Sequence, residues 1–502
     1  MPKFSKNSGW VWLLCGVTGL LLMSCTRPAQ KKSDKQGQVI LKDCHLPTVG
    51  SLRLIPARCG TLNVPENWEK PSGKKISIYF AVLPAKKKRS KPDPMFFFSG
   101  GPGQAATESY AMMMRGFSQI NRHRDVVLID QRGTGRSSPV RCDASVFQDL
   151  TKEPNNKELM AWLKKCADGQ KKQLQYYRTI ESVQDFNAVR KALGYKDINL
   201  YGISYGTRVA QTYMRRYAKH VRTVILDGVV PQSMPLGREV FIQGPDRVKT
   251  WLLLRCKADK ACNKAFPKLK ESIAAVEKII KEKQPVVNMI HPRTNKTLKV
   301  RLTWSSWGLG FRLFGYSSSM VSVLPLLIHN SHKTNDVRPL FKWVVAQMES
   351  LQGMLGQLEN SVLCSEDMPF LTQDMKTKKS ATGYGAKRLE TSLLMCKVWP
   401  HKKAHPDFKK PVVSSIPTLL LSGQFDPVTP PSYAKQVAKH LSSGLEVVVP
   451  GEGHGVIGMS CIPRLAQQFV QEASVKKLKP ACVKKHKPTG FFVDFSGPEV
   501  LQ

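Results

Sequence analysis

The pentapeptide Gly202-Ile203-Ser204-Tyr205-Gly206 sets a serine hydroxyl between two glycines. Such a hydroxyl attacks a carbonyl only when a general base takes its proton and a third group orients that base. Two distant loops carry the missing types. Ser422-Gly423-Gln424-Phe425-Asp426-Pro427-Val428 offers the acid Asp426, and Gly451-Glu452-Gly453-His454-Gly455 offers the base His454. The order Ser204, Asp426, His454 along the chain is one in which a nucleophile, its orienting acid and its base recur. Among the 11 histidines, His454 alone follows an apolar run inside a glycine-rich loop; His123, His220 and His440 stand beside Arg or Lys and read as surface. Asp227, after the run Val221–Leu226, is a competing acid or a structural carboxylate. Acyl transfer also needs donors for a developing oxyanion. Ser99-Gly100-Gly101-Pro102-Gly103 exposes backbone N–H groups, and the N–H of Gly101 with that of Tyr205 would form the pair. Taken singly, each piece has a plainer reading as a tight Gly or Gly-Pro turn or a loop histidine. No cysteine or histidine spacing matches a zinc site, so no metal site is expected from them.

These residues have to be positioned by elements, and the elements are legible. Short apolar runs bounded by Gly, Pro or Asp fall at Ile76–Val82, Met95–Phe98, Asp125–Ile129, Ile198–Tyr201, Val221–Leu226, Thr418–Leu421 and Leu445–Val449. Runs of this length and apolarity suit strands buried on both faces. Helical patterns lie between several of them, as at Ser182–Leu193 and Thr207–Ala218, and such alternation predicts an α/β fold with a mostly parallel sheet covered by helices on both faces. Ser204 then sits at a strand-to-helix junction, while Asp426 and His454 lie on loops after strands, at the same edge. The stretch from 232 to 410 breaks the rhythm with helical patterns at Leu269–Lys283 and Arg338–Leu355 and an aromatic run from Trp304 to Tyr316; it reads as a helical cap inserted over the carboxyl ends of the strands. The core is thus expected in two parts, 41–231 and 411–485, followed by a tail at 486–502. Asp130-Gln131-Arg132-Gly133-Thr134-Gly135-Arg136-Ser137 has glycines but not the spacing of a phosphate loop, and reads as a salt-bridged turn supporting the site.

The chain has 502 residues, 77 Lys and Arg against 37 Asp and Glu, a formal charge of +40 and 41% hydrophobic residues. That apolar share excludes global disorder, and the lack of repeats excludes solenoids. The run Trp10–Met23, after Lys3 and Lys6, has the form of an export signal over residues 1–24; at about 14 residues it is short of the roughly 20 needed for a membrane span. Leu22-Met23-Ser24-Cys25 resembles a bacterial lipobox with Cys25 as the acylated residue, the alternatives being an ordinary signal peptide or an uncleaved anchor. Residues 25–40 are polar and read as a tether. Setting Cys15 and Cys25 aside leaves Cys44, Cys59, Cys142, Cys166, Cys256, Cys262, Cys364, Cys396, Cys461 and Cys482, an even number with near neighbours, which fits five consecutive disulfides in an oxidising compartment. The expected location is therefore the bacterial cell envelope, periplasmic or membrane-anchored. No nucleic-acid-binding signature accompanies the charge, so nucleic acid is not an expected partner; an anionic lipid, lipopolysaccharide or cell-wall polymer fits it better.

In order along the chain, GGPG, DQRGTGRS, GISYG, SGQFDPVTP and GEGHG resemble the proline-iminopeptidase group of α/β-hydrolases. The resemblance is closer still to an exported tripeptidyl-aminopeptidase-like branch and covers roughly residues 45–485. It implies a serine exopeptidase that releases one or a few residues from the N-termini of short peptides. Ser204 would be the nucleophile, His454 the base and Asp426 its orienting acid, without cofactor. Many relatives have His before GGPG where this chain has Ser99. Cap carboxylates hold the substrate's amino group in such enzymes; Cys364-Ser365-Glu366-Asp367 resembles the corresponding motif and makes Glu366 and Asp367 the candidates, with Glu359 a third. A carboxylesterase or lipase with the same triad is the alternative.

Overall fold

In the computed structural model the described residues are 39–498, except 49–50, 144, 148, 237–238, 292–293, 343, 346–356 and 377–385. The expected signal peptide, Cys25 and most of the tether lie outside them, as does the far end of the expected helix Arg338–Leu355.

Nine strands form one sheet in the order β1-β2-β3-β5-β4-β6-β7-β10-β11. They are β1 Lys42–Thr48, β2 Ser51–Pro65, β3 Lys75–Leu83, β4 Met95–Phe98, β5 Val126–Ile129, β6 Ile198–Ile203, β7 Val221–Asp227, β10 Thr418–Gly423 and β11 Gly444–Val449. The six strands from β5 to β11 in that order pair in parallel, whereas β1, β2 and β3 join antiparallel at the other edge, β3 against β5. All seven apolar runs of the sequence are strands. The edge pair β1–β2 was missed because its residues are polar and proline-bearing. Its one sequence signal is the alternation Ile55, Ala57, Cys59, all buried, which is what a half-covered edge requires.

Side chains alternate across this sheet and feed two separate cores. Phe96, Phe98, Val127, Ile129, Ile198 and Leu200 pack on one face, beneath helices α3 (Thr179–Ala192) and α4 (Tyr205–Tyr217). Met95, Phe97, Val126, Leu128, Tyr201 and Ile203 pack on the other, beneath α1 (Ala106–Phe117) and the helix Ile462–Glu472. Being buried on both faces explains why these strands are continuous apolar runs and not alternating ones.

Between β7 and β10 the chain makes a series of helices, among them Gly244–Ala258, Leu269–Lys278, Trp304–Phe314 and Leu324–Thr334, and a hairpin, β8 Val286–Ile290 with β9 Thr297–Arg301, that helical periodicity did not predict. They share a third core including Val248, Leu252, Ile273, Trp307, Phe311 and Phe341. The apolar run Phe491-Phe492-Val493, which had no evident role in the sequence, joins that core: Phe491 is buried in it, and β12 Phe492–Asp494 pairs with β13 Gly497–Pro498. Phe491→Ala is expected to cost about 3 kcal/mol, the usual loss for a buried phenylalanine, visible as a lowered thermal unfolding midpoint.

Among the described residues, five disulfides join ten cysteines consecutively: Cys44–Cys59, Cys142–Cys166, Cys256–Cys262, Cys364–Cys396 and Cys461–Cys482.

Candidate active site

Strand β6 runs into α4 through one residue. Ser204 takes φ 56°, ψ −128°, a backbone region that a non-glycine residue occupies only when its surroundings enforce it. The enforcement is steric and explains both glycines. A Cβ on Gly202 would lie 2.3 Å from the Gly206 carbonyl oxygen, and one on Gly206 would lie 2.2 Å from that of Phe98. Strand and helix therefore approach closer than any side chain allows, and the serine is pushed out at the bend. Its N–H donates to the Asp227 carbonyl at 2.9 Å. Gly206→Ala is expected to force this junction apart, costing about 3 kcal/mol by overpacking. Thermal unfolding and the rate of Ser204 labelling by a fluorophosphonate should fall together.

The Ser99–Gly103 loop lies against the same serine. A Cβ on Gly100 would sit 3.1 Å from Ser204 Cβ, and Gly101 and Gly103 have φ of 106° and 115°, values open to glycine alone. The Ser99 hydroxyl pairs with that of Ser109 on α1 at 2.7 Å.

His454 and Asp426 meet although 28 residues separate them. His454 Nδ1 lies 2.7 Å from Asp426 Oδ2. The buried carboxylate also accepts from the N–H groups of Val428 and Thr429 and from the Thr429 hydroxyl, at 2.9, 2.8 and 2.6 Å. Burial by itself would favour the neutral acid, but the facing imidazole and these donors hold Asp426 below the usual carboxylate range. Burial likewise works against a charged His454, and Asp426 overcomes it, so the histidine's pKa is raised. Because a carboxylate only accepts, His454 must carry its proton on Nδ1, leaving Nε2 as the basic nitrogen of the neutral ring.

Asp227 has a different task from the one that made it a rival of Asp426. Its carboxylate accepts from the N–H groups of Val456 and Ile457 and from the Tyr201 hydroxyl at 2.9–3.0 Å. Full burial pushes its pKa up to about 6 against those donors. Asp227 thus anchors the chain just after His454, while its own carbonyl holds Ser204. The next residue, Gly228, is so close to His454 that a Cβ there would lie 2.8 Å from the ring's Cε1. The Asp227–Gly228 turn is the common floor of the serine and the histidine.

Two supports of His454 were not read from the sequence. Tyr316 packs edge-on against the imidazole, ring centroids 4.9 Å apart, and its carbonyl accepts the His454 N–H at 3.0 Å. Gly453 permits this approach, since a Cβ there would collide with the Gly315 carbonyl at 2.3 Å. On the far side Glu452 accepts from Ser318 and pairs with His486, both at 2.8 Å, and Pro488 packs on Gly451. Arg255 lies over the rings of both Phe425 and Phe491. The tail after Cys482 is therefore a strap linking the loops of Asp426 and His454 to the third core. Its aromatic residues were the only sequence signal for that.

Glu366 and Asp367 need correcting against the sequence reading. Neither opens toward a bound amine: their exposures are 1% and 0%. Glu366 accepts from the N–H and hydroxyl of Thr179 at 2.6 and 2.7 Å. Asp367 is paired with Arg208 of α4 at 3.1 Å and with Lys409 at 2.7 Å. A buried carboxylate needs such partners, and Asp367 is tied through Arg208 to α4. Glu359, the third carboxylate, is half-buried and acts electrostatically on Tyr316, which touches His454. The DQRGTGRS turn is salt-bridged as read: Arg132 pairs with Asp185 at 2.7 Å, and Asp130 holds Thr107 and the Arg136 N–H.

Two family models match parts of the chain. Residues 93–264 match the family model of the alpha/beta hydrolase fold, and residues 381–482 match that of the TAP-like protein. The chain has the α/β-hydrolase fold and carries a TAP-like segment. It is 24% identical to the serine protease Hip1 of Mycobacterium tuberculosis over 508 aligned positions, covering 92% of this chain and 95% of the relative. With the putative hydrolase YuaR of Escherichia coli it shares 23% identity over 437 positions, 79% of this chain and 81% of the other. With the tripeptidyl aminopeptidase of Streptomyces lividans it shares 27% over 219 positions, 39% and 40% of the two chains. In this α/β-hydrolase the serine elbow falls within the first matched region, and Asp426 and His454 fall within the second.

Proposed function

We propose that the protein is an exported serine aminopeptidase that releases one or a few residues from the N-termini of short peptides. The observation carrying this reading is the buried Asp426–His454 pair, opening on the same Asp227–Gly228 turn that holds Ser204 at its strained bend. Ser204 attacks the carbonyl while His454 Nε2 takes its proton, and the N–H groups of Gly101 and Tyr205 receive the oxyanion. The same nitrogen then protonates the departing amine, and water repeats the sequence on the acyl-enzyme. Peptide rather than ester chemistry is supported by the relatives named serine protease and tripeptidyl aminopeptidase. Export is supported by the five disulfides and by the apolar leader ahead of Cys25. We assign Glu359, half-buried in the cap with its charge felt by Tyr316, to the substrate ammonium.

A panel of free and N-blocked aminoacyl and tripeptidyl arylamides with short-chain esters tests this. Cleavage of free-amino arylamides alone is expected, lost in Ser204→Ala, and Glu359→Gln should raise KM for them. Ester turnover without arylamide cleavage would replace the proposal with a carboxylesterase.

A further inference from the structure

Behind the nucleophile runs a chain of buried hydrogen bonds whose direction is set by proton count. The Tyr205 hydroxyl lies 2.6 Å from Thr179 Oγ1, and Thr179 Oγ1 lies 2.7 Å from Glu366 Oε2. Glu366 Oε1 accepts the Thr179 N–H at 2.6 Å. Gln131 Nε2 donates to the Tyr205 oxygen at 3.0 Å and to Ser182 at 2.8 Å. With Glu366 ionised, the carboxylate has no proton to give, so the single Thr179 hydroxyl proton goes to it. Thr179 oxygen is then left as an acceptor, and the Tyr205 hydroxyl must donate to it. The order is Tyr205 to Thr179 to Glu366, with Gln131 filling the Tyr205 lone pair. Reversing it would leave the tyrosine proton facing the Gln131 amide donor. Every member is buried, so each bond lacks competition from water.

Tyr205 is the first residue of α4, and its side chain and N–H are fixed by the same backbone. We infer that Glu366 is a positioning residue for the acyl-transfer step: it polarises Thr179, which locks the Tyr205 side chain and thereby aims the Tyr205 N–H at the oxyanion. This deepens the proposed function and rests on its assignment of Ser204 and Tyr205. The segment that delivers Glu366, Leu363–Asp367, is itself keyed to α4 by Asp367 on Arg208 and stapled at Cys364 to Cys396. Burial raises the pKa of Glu366 against the pull of Arg208, with Asp367 raising it further; Arg178 and Lys409 are the other charged groups that feel it.

The test uses the full-length enzyme on its preferred Ser204-dependent substrate. Glu366→Gln turns an amide N–H₂ toward one of two Thr179 donors, and Thr179→Val removes the relay. Both should lower kcat by about 10- to 100-fold, the scale of a misaligned reacting group, with KM changed by less than about threefold. Fluorophosphonate labelling should slow in parallel, because its phosphoryl oxygen uses the same donors. Thr179→Ser keeps the hydroxyl and should restore kcat; Tyr205→Phe should resemble Thr179→Val. If Glu366→Gln does not fold, the Thr179 and Tyr205 variants, checked by circular dichroism, carry the comparison. Folded variants with unchanged kcat, or a loss confined to KM, would overturn the inference. Activity surviving in Ser204→Ala would instead remove the proposed function beneath it.

Discussion

Ser204→Ala is expected to lower kcat/KM on the preferred arylamide by about a million-fold, the loss seen when a triad nucleophile is deleted. The fold should be unaffected. Alanine tolerates the bend no worse than serine, since the strain at φ 56° comes from Cβ and backbone and not from the hydroxyl. The alanine variant should bind peptides with unchanged affinity, because no charge or hydrogen-bonded anchor is removed from the protein frame. Active-site titration with a fluorophosphonate, together with initial rates, checks both halves: labelling must vanish while the unfolding midpoint stays. Residual turnover of more than about a thousandth of wild type would contradict a covalent acyl-enzyme on this serine.

Asp426→Asn should be nearly as severe, by about ten-thousand-fold in kcat, and it has a second signature in pH. In the wild type Asp426 raises the His454 pKa above its usual 6.5 even though the ring is buried. The base form is the unprotonated one, so activity should rise with pH through a limb lying above 6.5. Asparagine removes the charge that raised it and leaves burial, which lowers it. The remaining activity of Asp426→Asn should therefore show its limb displaced toward acid. Asparagine also presents an N–H₂ that can pair with the wrong tautomer, placing the ring proton on Nε2 where it cannot act as base. A pH profile of kcat/KM over pH 5 to about 9 separates these effects: a limb that does not move would mean that Asp426 orients His454 without setting its charge. Substituting Asp227 gives a contrasting result. Its carboxylate anchors Val456 and Ile457 and not the imidazole, so Asp227→Asn should lose stability together with rate.

Local sequence was sufficient wherever a residue's role is imposed by its immediate neighbours. Ser204 could be singled out because a strand, two glycines and a helix must follow one another there, and Gly202 and Gly206 prove to be required by contacts of 2.3 and 2.2 Å. Strands buried on both faces were legible as apolar runs. The edge strands β1 and β2 were not, because polar residues and prolines suit an edge and blur its periodicity. The cysteine partners could be matched by nearness because no pair spans more than 32 residues.

The carboxylates show the opposite case. Asp426, Asp227, Glu366 and Asp367 are all acidic and lie in a loop, at a strand end or at a helix end, and the sequence left Asp227 as a rival of Asp426 and took Glu366 and Asp367 for ligands of an amine. Folding gives one the imidazole, one the backbone after it, one Thr179 and one Arg208 with Lys409. The tail strap and Tyr316 are likewise defined only by what they touch. The chain's own order of residues determined the sheet, the bend and the chemical types available at it. Which acid serves the base, which ones serve the scaffold, and what stands behind the nucleophile were decided by tertiary contacts between segments up to 230 residues apart. A buried charge takes its properties from partners brought near by packing, and proximity in space leaves no local mark in sequence.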